Sequence, residues 1–171
     1  KWYSENISNT NSKEYITDNI FCNDRSTGVP SSYFNNLAYG RNITAYHWYD
    51  STNLINLKCP QQNDTFTVSD STNGNGALTY PVGLLSMDEI ILAGGWSSEN
   101  NGYYLYTGKD WWTLSPSTYQ GINAANRYIK SSGEFSYAAV LNTYGVRPVL
   151  NLKADALNAG TGTADDPYRI S

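Results

Sequence analysis

The sequence predicts an α+β fold with short antiparallel sheets, N-terminal and central helices, and long irregular loops. Two short apolar runs, residues 111–116 and 145–152, are typical of strands, because large side chains in them can alternate between two faces. Ser86, followed three residues later by Glu89, is a capping-box pattern that predicts the central helix. The loops are predicted by long stretches in which asparagine, serine and glycine recur without an apolar period.

The first apolar run contains two adjacent tryptophans. Trp111 and Trp112 should point to opposite faces of a strand, which suits a strand that is covered on both sides. Pro116 lacks an N–H and biases the residue before it away from helix, so we expect the strand to stop there. Its predicted hairpin partner is the run 103–107, across a turn at residues 108–110.

The second apolar run contains a charged residue. Arg147 stands between Val146 and Pro148, and burying a guanidinium is costly unless carboxylates or carbonyls bind it. We therefore expect Arg147 to be mostly buried and paired, with Asp88 or Glu89 as a candidate carboxylate. Pro148 blocks a ladder bond, so this strand should be kinked, bulged or at an edge. A structural role is assigned to Trp111, Trp112 and Arg147.

Helix is predicted in two regions. Residues 1–20 should form helix in two parts, because apolar side chains recur near i, i+4 spacing on both sides of a polar break. Asn11 or Ser12 would cap the second part. The central helix should run from Met87 to about Ala93, with a glycine at its C-terminal end.

The remaining strand predictions come from shorter patterns. Residues 64–68 and 80–85 are strand candidates, and residues 128–130 and 135–141 should form strands on either side of a turn. Residues 117–126 are predicted to be a polar loop, because they carry amides and hydroxyls without an apolar period.

Composition argues against two kinds of partner. The net charge of −4 is not gathered in blocks, whereas a nucleic-acid surface needs a basic patch. No apolar run approaches the ~18 residues that a membrane span requires. Aromatic residues make up 14% of the chain and charged residues only 15%. A surface rich in tyrosine, asparagine, serine and glycine resembles that of binding loops, although tyrosine is also simply common in β-strands.

The two cysteines predict a covalent link. Few lysines and many asparagines and tyrosines fit an exported protein, in which a pair such as Cys22 and Cys59 is usually a disulfide. The bridge would stabilise the fold by ~3–4 kcal/mol in the chain-entropy model. Two buried thiols, or half of a metal site, are the alternatives. No histidine or further cysteine has metal-ligand spacing, so no metal is predicted there.

Several motifs in order along the chain carry a resemblance. They are Phe-Cys-Asn-Asp-Arg at 21–25, Tyr-Pro-Val-Gly-Leu-Leu at 80–85, Asp-Glu through Ala-Gly-Gly at 88–95, Trp-Trp-Thr-Leu-Ser-Pro at 111–116, Gly-Val-Arg-Pro-Val-Leu at 145–150, and Gly-Thr through Pro-Tyr at 162–168. Together they resemble the C-type-lectin-like fold, in the branch of formylglycine-generating enzymes and the variable proteins of diversity-generating retroelements. Within that branch the chain is most similar to an uncharacterised bacterial and phage domain family with Trp-Ser-Pro and Gly-Val-Arg-Pro motifs.

The resemblance implies a single C-type-lectin-like domain over residues 1–171. The sequence opens on lysine rather than methionine, so we expect it to be a fragment of a longer surface or secreted protein. Its implied location is extracellular or at the cell surface, in a bacterium or phage.

Catalytic and metal chemistry find little support in the sequence. The oxidase branch uses a cysteine pair, but neither Cys22 nor Cys59 lies in the C-terminal half. His47 is the only histidine, and no strained Gly-x-Ser-x-Gly turn is present for a Ser/His/acid nucleophile. The Glu-Pro-Asn, Gln-Pro-Asp and Trp-Asn-Asp triplets of calcium lectins are absent. Asp165 and Asp166 are the one candidate pair for calcium, with turn chemistry as the alternative.

The leading hypothesis is therefore a non-enzymatic adhesion domain that binds a glycan or a protein ligand through its loops. In the branch that this chain resembles, the exposed face maps onto the loops 96–102 and 117–126. Rings and amides there would supply contact area and polar partners, and the candidates are Trp96, Asn100, Asn101, Tyr119, Gln120, Asn123 and Asn126. The alternative is that these are solvated turn residues, with Trp96 packed onto the core.

Two other functions stay open at the level of sequence. The first is a structural or tip domain of a pilus or phage tail, and the second is a degenerate formylglycine-generating-type oxidase. The oxidase would need a reactive thiol, which a disulfide between Cys22 and Cys59 would remove.

Overall fold

A computed structural model describes residues 1–25, 57–95, 98–119 and 123–170, and only the backbone of Tyr119. Within these ranges the chain is α+β, with short helices, three small antiparallel sheets and long loops, as predicted. The helices are α1 (Trp2–Asn6) and α2 (Met87–Leu92), with 3-10 helices at Asn11–Tyr15 and Gln62–Asp64. The strands are β1 (Ile16–Thr17), β2 (Phe21–Cys22), β3 (Thr65–Phe66), β4 (Trp111–Tyr119), β5 (Ala124–Ile129), β6 (Phe135–Ala139) and β7 (Asn151–Leu152).

The largest sheet has the order β4-β5-β6, and the other two sheets pair β1 with β7 and β2 with β3. The predicted hairpin around residues 131–133 is confirmed as β5 and β6, which pair without interruption from Ala125↔Ala139 to Ile129↔Phe135. Gly133 closes this turn with φ +85°, a conformation that glycine adopts without strain.

The prediction that the Trp-rich strand stops at Pro116 is wrong. Strand β4 continues to Tyr119, and its pairing with β5 shifts register on both sides of Pro116. A proline removes one donor from the ladder, and a local irregularity accommodates that loss without ending the strand.

The predicted hairpin between residues 103–107 and the Trp-rich strand is also wrong. Strand β4 pairs with β5, with Trp112 opposite Tyr128. Residues 103–107 turn instead, and the Tyr106 N–H donates to the Tyr103 carbonyl at 3.0 Å. Tyr103 and Leu105 are buried in the core beside Trp111. The apolar alternation therefore reflects burial of a turn, not pairing of a strand.

The predicted polar loop 117–126 is partly strand. Thr118 pairs with Ala125 and Tyr119 with Ala124, so both ends of this segment extend the sheet. Ser117 and Thr118 are buried although they are polar. Their polarity concealed a strand, because an apolar period was the signal on which the prediction depended.

The central helix confirms the capping-box prediction. The Glu89 N–H donates to Ser86 Oγ at 3.4 Å, and the Ser86 N–H donates to Glu89 Oε2 at 2.7 Å. Helix α2 packs against β4, because the Met87 N–H also donates to the buried Ser115 Oγ at 2.9 Å. The main core lies between this helix and the sheet, and its buried residues are Met87, Ile90, Tyr103, Leu105, Trp111, Ile129 and Phe135.

The N-terminal helix prediction is only partly confirmed. Helix α1 has five residues, and the second part is a 3-10 helix that Thr10, not Asn11 or Ser12, caps. From Ile16 onward the chain is strand or extended, because β1 pairs with β7 far along the sequence. Asp18 holds this region against residues 68–70, because its carboxylate accepts three backbone N–H groups from them.

The predicted strand 80–85 is reduced to a single bridge between Gly83 and Val149. A Cβ at Gly83 would lie 2.4 Å from the Phe21 ring, so the backbone passes that ring too closely for a side chain. The run 145–152 is likewise broken: Gly145 bridges to Trp111, Val149 to Gly83, and only residues 151–152 form a strand. Pro148 interrupts it, as expected.

The predicted disulfide is confirmed between Cys22 and Cys59. It joins residues 37 positions apart, and Cys22 also pairs with Thr65 across β2 and β3. No helix in the described ranges is both long and apolar enough to cross a membrane.

Candidate functional site

Three rings form a continuous aromatic cluster, Trp112, Tyr128 and Tyr144, on the face of the sheet opposite Trp111. The Trp112 and Tyr128 centroids lie 5.9 Å apart in a T-shaped arrangement. Tyr144 stacks on Tyr128 at 4.4 Å and lies 4.8 Å from Trp112 at a tilt of 48°. Trp112 and Tyr144 are half-buried, so part of each ring remains in contact with solvent.

The local fold explains how these rings meet. Trp112 and Tyr128 are register partners on β4 and β5, so their side chains project from the same face. After β6 the chain crosses that face and returns to the start of β4. There the Gly145 N–H donates to the Asp110 carbonyl at 2.9 Å, and the Trp112 N–H donates to the Gly145 carbonyl at 3.0 Å. These bonds hold the residue after Tyr144 and so position its ring.

Gly145 passes close to the backbone of residue 110 at this crossing. A Cβ at Gly145 would lie 3.0 Å from the Asp110 carbonyl oxygen, which is tighter than ordinary van der Waals contact. A side chain at this position would therefore require a small local shift of one of the two segments.

Polar groups border the aromatic cluster. The Asp110 carboxylate is held in place, because its Oδ1 accepts the Ser131 N–H at 2.6 Å. The side chains of Asn142 and Tyr128 lie near the Tyr144 hydroxyl and act on its pKa in opposite directions. Desolvation raises the pKa of Tyr144, and the Tyr128 hydroxyl and the Asp110 carboxylate raise it further. The cluster thus presents the Tyr144 hydroxyl beside a carboxylate that the Ser131 N–H holds in place.

The predicted ligand-binding residues are only partly described. Trp96 and Gln120 lie outside the described residues, as does His47, and of Tyr119 only the backbone pairing with Ala124 is known. Their assignment to a binding face stays a prediction.

The described asparagines of that prediction do not come together. The Asn100 N–H donates to the Ser132 carbonyl at 3.0 Å, beside the β5–β6 turn. Asn123 immediately precedes β5, at the other end of a six-residue strand that spans about 20 Å. Asn100 and Asn123, one from each loop, therefore lie at opposite ends of this sheet.

Two of these asparagines are used inside the fold. Asn126 Nδ2 donates to the Thr113 carbonyl at 2.8 Å, across the strand pair next to Pro116. Asn100 Nδ2 donates to the Gly94 carbonyl at 2.8 Å and thereby holds the end of the central helix. Asn101 is exposed. A ligand could therefore engage Asn101 without breaking an internal side-chain bond.

Arg147 is less buried than predicted, and of the two expected kinds of partner, carboxylate or carbonyl, it has a carbonyl. It is half-buried, its guanidinium lies 4.8 Å from the Trp111 ring centroid, and it donates to the Leu105 carbonyl. Among the described residues it has no carboxylate partner, and Glu89 is engaged in the capping box. The charge is thus compensated by a ring and a carbonyl.

The candidate calcium residues lie in a closing turn. The Asp166 carboxylate accepts from Arg169 Nη1 at 2.7 Å, and its N–H donates to Thr163 Oγ1 at 3.1 Å. Asp165 is exposed. Among the described residues no group of three acidic, histidine or cysteine side chains is arranged to hold a metal ion.

Two grooves lie elsewhere on the described surface. One, of about 580 Å³, is bordered by the disulfide together with Asn19, Asn73 and Glu89. The other, of about 320 Å³, is almost wholly apolar, and its lining includes Trp2, the stacked pair Tyr3 and Tyr80, and Pro148.

The sequence predicts only a structural role for Trp112, and no pattern in it marks Tyr128, Tyr144, Asp110 or Asn142 as site residues. Tyr128 is opposite Trp112 only because β4 pairs with β5, which the sequence did not predict. The spacing of Tyr144, directly before the Gly-Val-Arg-Pro motif, is the one signal that could have drawn attention to it.

Comparison with known proteins adds a family but no activity. No curated protein and no solved structure matches this chain. Residues 3–154 match the family described as Domain of unknown function (DUF6273). Because this match spans most of the chain, the protein belongs to the DUF6273 family.

Proposed function

We propose that this protein is a non-enzymatic, extracellular binding and adhesion domain that engages its ligand through the aromatic cluster. The observation that carries the proposal is the partly exposed pair of rings, Trp112 and Tyr144, bordered by a fixed carboxylate. Rings of this kind offer rigid contact area at a small loss of side-chain entropy.

An extracellular location is supported by the disulfide and by the composition. Disulfides persist in oxidising compartments and are rare in the cytosol. Short strands and long polar loops suit a domain that depends on a covalent link between Cys22 and Cys59 for part of its stability.

We further propose that the fold is C-type-lectin-like, as the sequence motifs imply. The small antiparallel sheets, the central helix and the strand-to-loop proportions support this assignment. Binding by the loops 96–102 and 117–126 remains a separate proposal, because Asn100 and Asn123 lie at opposite ends of the sheet. A crystal structure of the domain would test the fold assignment, since a different strand connectivity would contradict it.

Cell binding by the fluorescently labelled domain tests the function directly. We expect saturable retention on bacterial or host cells, and at least a tenfold loss of retention in the Trp112→Ala and Tyr144→Ala variants. Tyr104→Ala is a matched control, because Tyr104 is 80% exposed and lies outside the aromatic cluster. Retention that is absent, or equal in all variants, would contradict the proposal.

An assembly role, as a structural or tip domain of a pilus or phage tail, is favoured by one observation. The apolar groove beside Trp2 and Tyr80 exposes Val146, which is 63% accessible, next to Pro148. Exposed apolar surface of this kind commonly mediates association. Light scattering of the purified domain, with Val146→Asp as the disrupting variant, would separate assembly from ligand binding.

The oxidase alternative receives no support from the cysteines. Both are consumed in one bond, so a reactive thiol would require that bond to be reduced first. Thiol quantification on the folded protein tests this point, since a free, reactive cysteine in the native state would revive the alternative.

A further inference from the structure

We propose that the aromatic cluster takes a neutral, hydroxyl-rich sugar ring, so that the ligand is an uncharged glycan. This inference rests on the proposed binding function and specifies the class of its ligand. It depends on three features of Trp112, Tyr128 and Tyr144: how closely the rings pack, which polar groups border them, and how much of their surface is accessible.

The ring packing favours stacking over enclosure. An aromatic cage for a cation holds its rings around an open space, with each centroid within about 6 Å of the charge. Here the three centroids lie 4.4, 4.8 and 5.9 Å from one another, so the rings fill that space themselves. A ligand must therefore lie on the outside of the aromatic cluster, against the accessible parts of Trp112 and Tyr144.

A pyranose suits such a surface. One face of the ring presents C–H groups, whose slight positive charge complements the negative face of an aromatic ring. Its hydroxyl groups project outward and need donors and acceptors at the border. Asp110 supplies an acceptor, because Oδ1 is held by the Ser131 N–H and Oδ2 has no donor among the described residues. The exposed Asn142 supplies an amide.

Charge selects against acidic glycans. The Asp110 carboxylate borders the aromatic cluster beside the Tyr144 hydroxyl. The chain as a whole carries a net charge of −4. An anionic sugar would therefore meet repulsion at short range and gain no basic partner from the named border groups.

Accessible area favours a sugar over a protein. Tryptophan and tyrosine side chains bury roughly 150–250 Å² each when they are fully covered. Because Trp112 and Tyr144 are half-buried, together they expose on the order of 100 Å². A stable protein interface takes about 800 Å² from each partner. The aromatic cluster is closer in size to one or two sugar rings.

Isothermal titration of the intact domain tests the inference with defined probes. Neutral hexasaccharides of glucose, galactose, mannose and N-acetylglucosamine should include at least one ligand. Oligogalacturonate and choline represent the anionic and cationic alternatives, and a cell-surface protein extract represents protein ligands. For the neutral ligand we expect at least a tenfold weaker affinity in Trp112→Ala, and a smaller loss in Trp112→Phe, which keeps a ring.

Control variants separate stacking from nonspecific loss. Tyr104→Ala and Tyr168→Ala remove exposed rings outside the aromatic cluster and should leave affinity unchanged. Asp110→Asn keeps an acceptor but removes the charge, so a neutral sugar should lose only a few fold. Circular dichroism confirms that each variant is folded before its affinity is compared.

The outcomes distinguish this inference from the proposed function. Binding of a neutral glycan that depends on Trp112 and Tyr144 supports both. Binding of oligogalacturonate, choline or a protein with the same dependence overturns the glycan inference and leaves the binding function intact. If no probe binds although the domain is retained on cells, the glycan inference is overturned and the binding function stands; if binding does not respond to these substitutions, both are overturned.

Discussion

Trp111 and Trp112 are neighbours on one strand, yet they belong to very different surroundings. Trp111 is 2% exposed and packs in the main core with Met87, Ile129 and Phe135. Trp112 points to the other face, where it is half-buried against two tyrosines. The difference follows from the period of two along a strand, which sends adjacent side chains to opposite faces.

The two tryptophans differ in role because different amounts of the chain pack over the two faces of β4. The face with Trp111 is closed by helix α2, by the turn at residues 103–107 and by Arg147. Among the described residues, the segment that carries Tyr144 crosses the face with Trp112. A fully covered ring mainly stabilises the fold, whereas a partly covered ring keeps surface for a ligand.

The largest expected effect comes from a substitution on the buried face of β4, the face that carries Trp111. Trp111→Ala should lower the free energy of unfolding by about 3–5 kcal/mol, because it leaves a cavity in the core. Trp112→Ala should lower it by only about 1–2 kcal/mol, through lost ring contacts. Urea denaturation followed by circular dichroism measures both. Equal losses would show that the two faces are covered alike.

Removing the disulfide should cost nearly as much without changing the contrast between faces. Cys22→Ser with Cys59→Ser should lower the free energy of unfolding by about 3–4 kcal/mol, because the unfolded chain regains loop entropy. The difference between Trp111→Ala and Trp112→Ala should persist in this background, since the sites share no described partner. Its disappearance would mean that the disulfide region supports one face.

Arg147→Ala should have an intermediate effect, and it measures how much Arg147 contributes to the face of β4 that carries Trp111. It removes a charged donor to the Leu105 carbonyl and a contact with the Trp111 ring, which together are worth about 1–3 kcal/mol. A buried carboxylate partner would have implied more, about 3–5 kcal/mol.

Arg169→Ala is the matched control for that measurement. Arg169 pairs with Asp166 on the surface, where an ion pair is worth at most about 1 kcal/mol. If thermal denaturation gives the same small shift for both variants, Arg147 contributes nothing to the packing of Trp111.

The smallest expected effect concerns pH and lies away from both faces. Hydrogen bonds from Val68, Ser69 and Asp70 outweigh desolvation and lower the pKa of Asp18 below its usual 3.8. Its folded form therefore holds fewer protons than the unfolded form, so its stabilising contribution is complete above pH 3.8 and is lost as the pH falls through the lowered value.

Melting temperatures between pH 2 and pH 6 measure this contribution. Asp18→Asn should flatten the acidic limb slightly relative to the parent protein, because the titrating carboxylate is gone. The fluorescence of Trp111 and Trp112 should change only when the whole domain unfolds, because Asp18 contacts neither ring. An unchanged acidic limb would show that other carboxylates account for it.

Features that depend on near neighbours were predictable from the residues alone. The capping box at Ser86 needs only side chains three residues apart, and the β5–β6 hairpin needs only a turn sequence between two suitable runs. The disulfide followed from two cysteines in a composition typical of exported proteins. These signals depend on residues close together in sequence or on composition, so they can be recognised without knowing the tertiary structure.

Only the tertiary structure decided which segments meet across the chain. It paired the Trp-rich strand with β5, carried that strand past Pro116, and laid Tyr144 against Trp112 and Tyr128. It also turned residues 103–107 into the core and gave Arg147 a carbonyl and a ring. The physical reason is that apolar runs of similar length and polarity are interchangeable as local patterns, and only their joint packing distinguishes a partner, a buried turn and a partly exposed face.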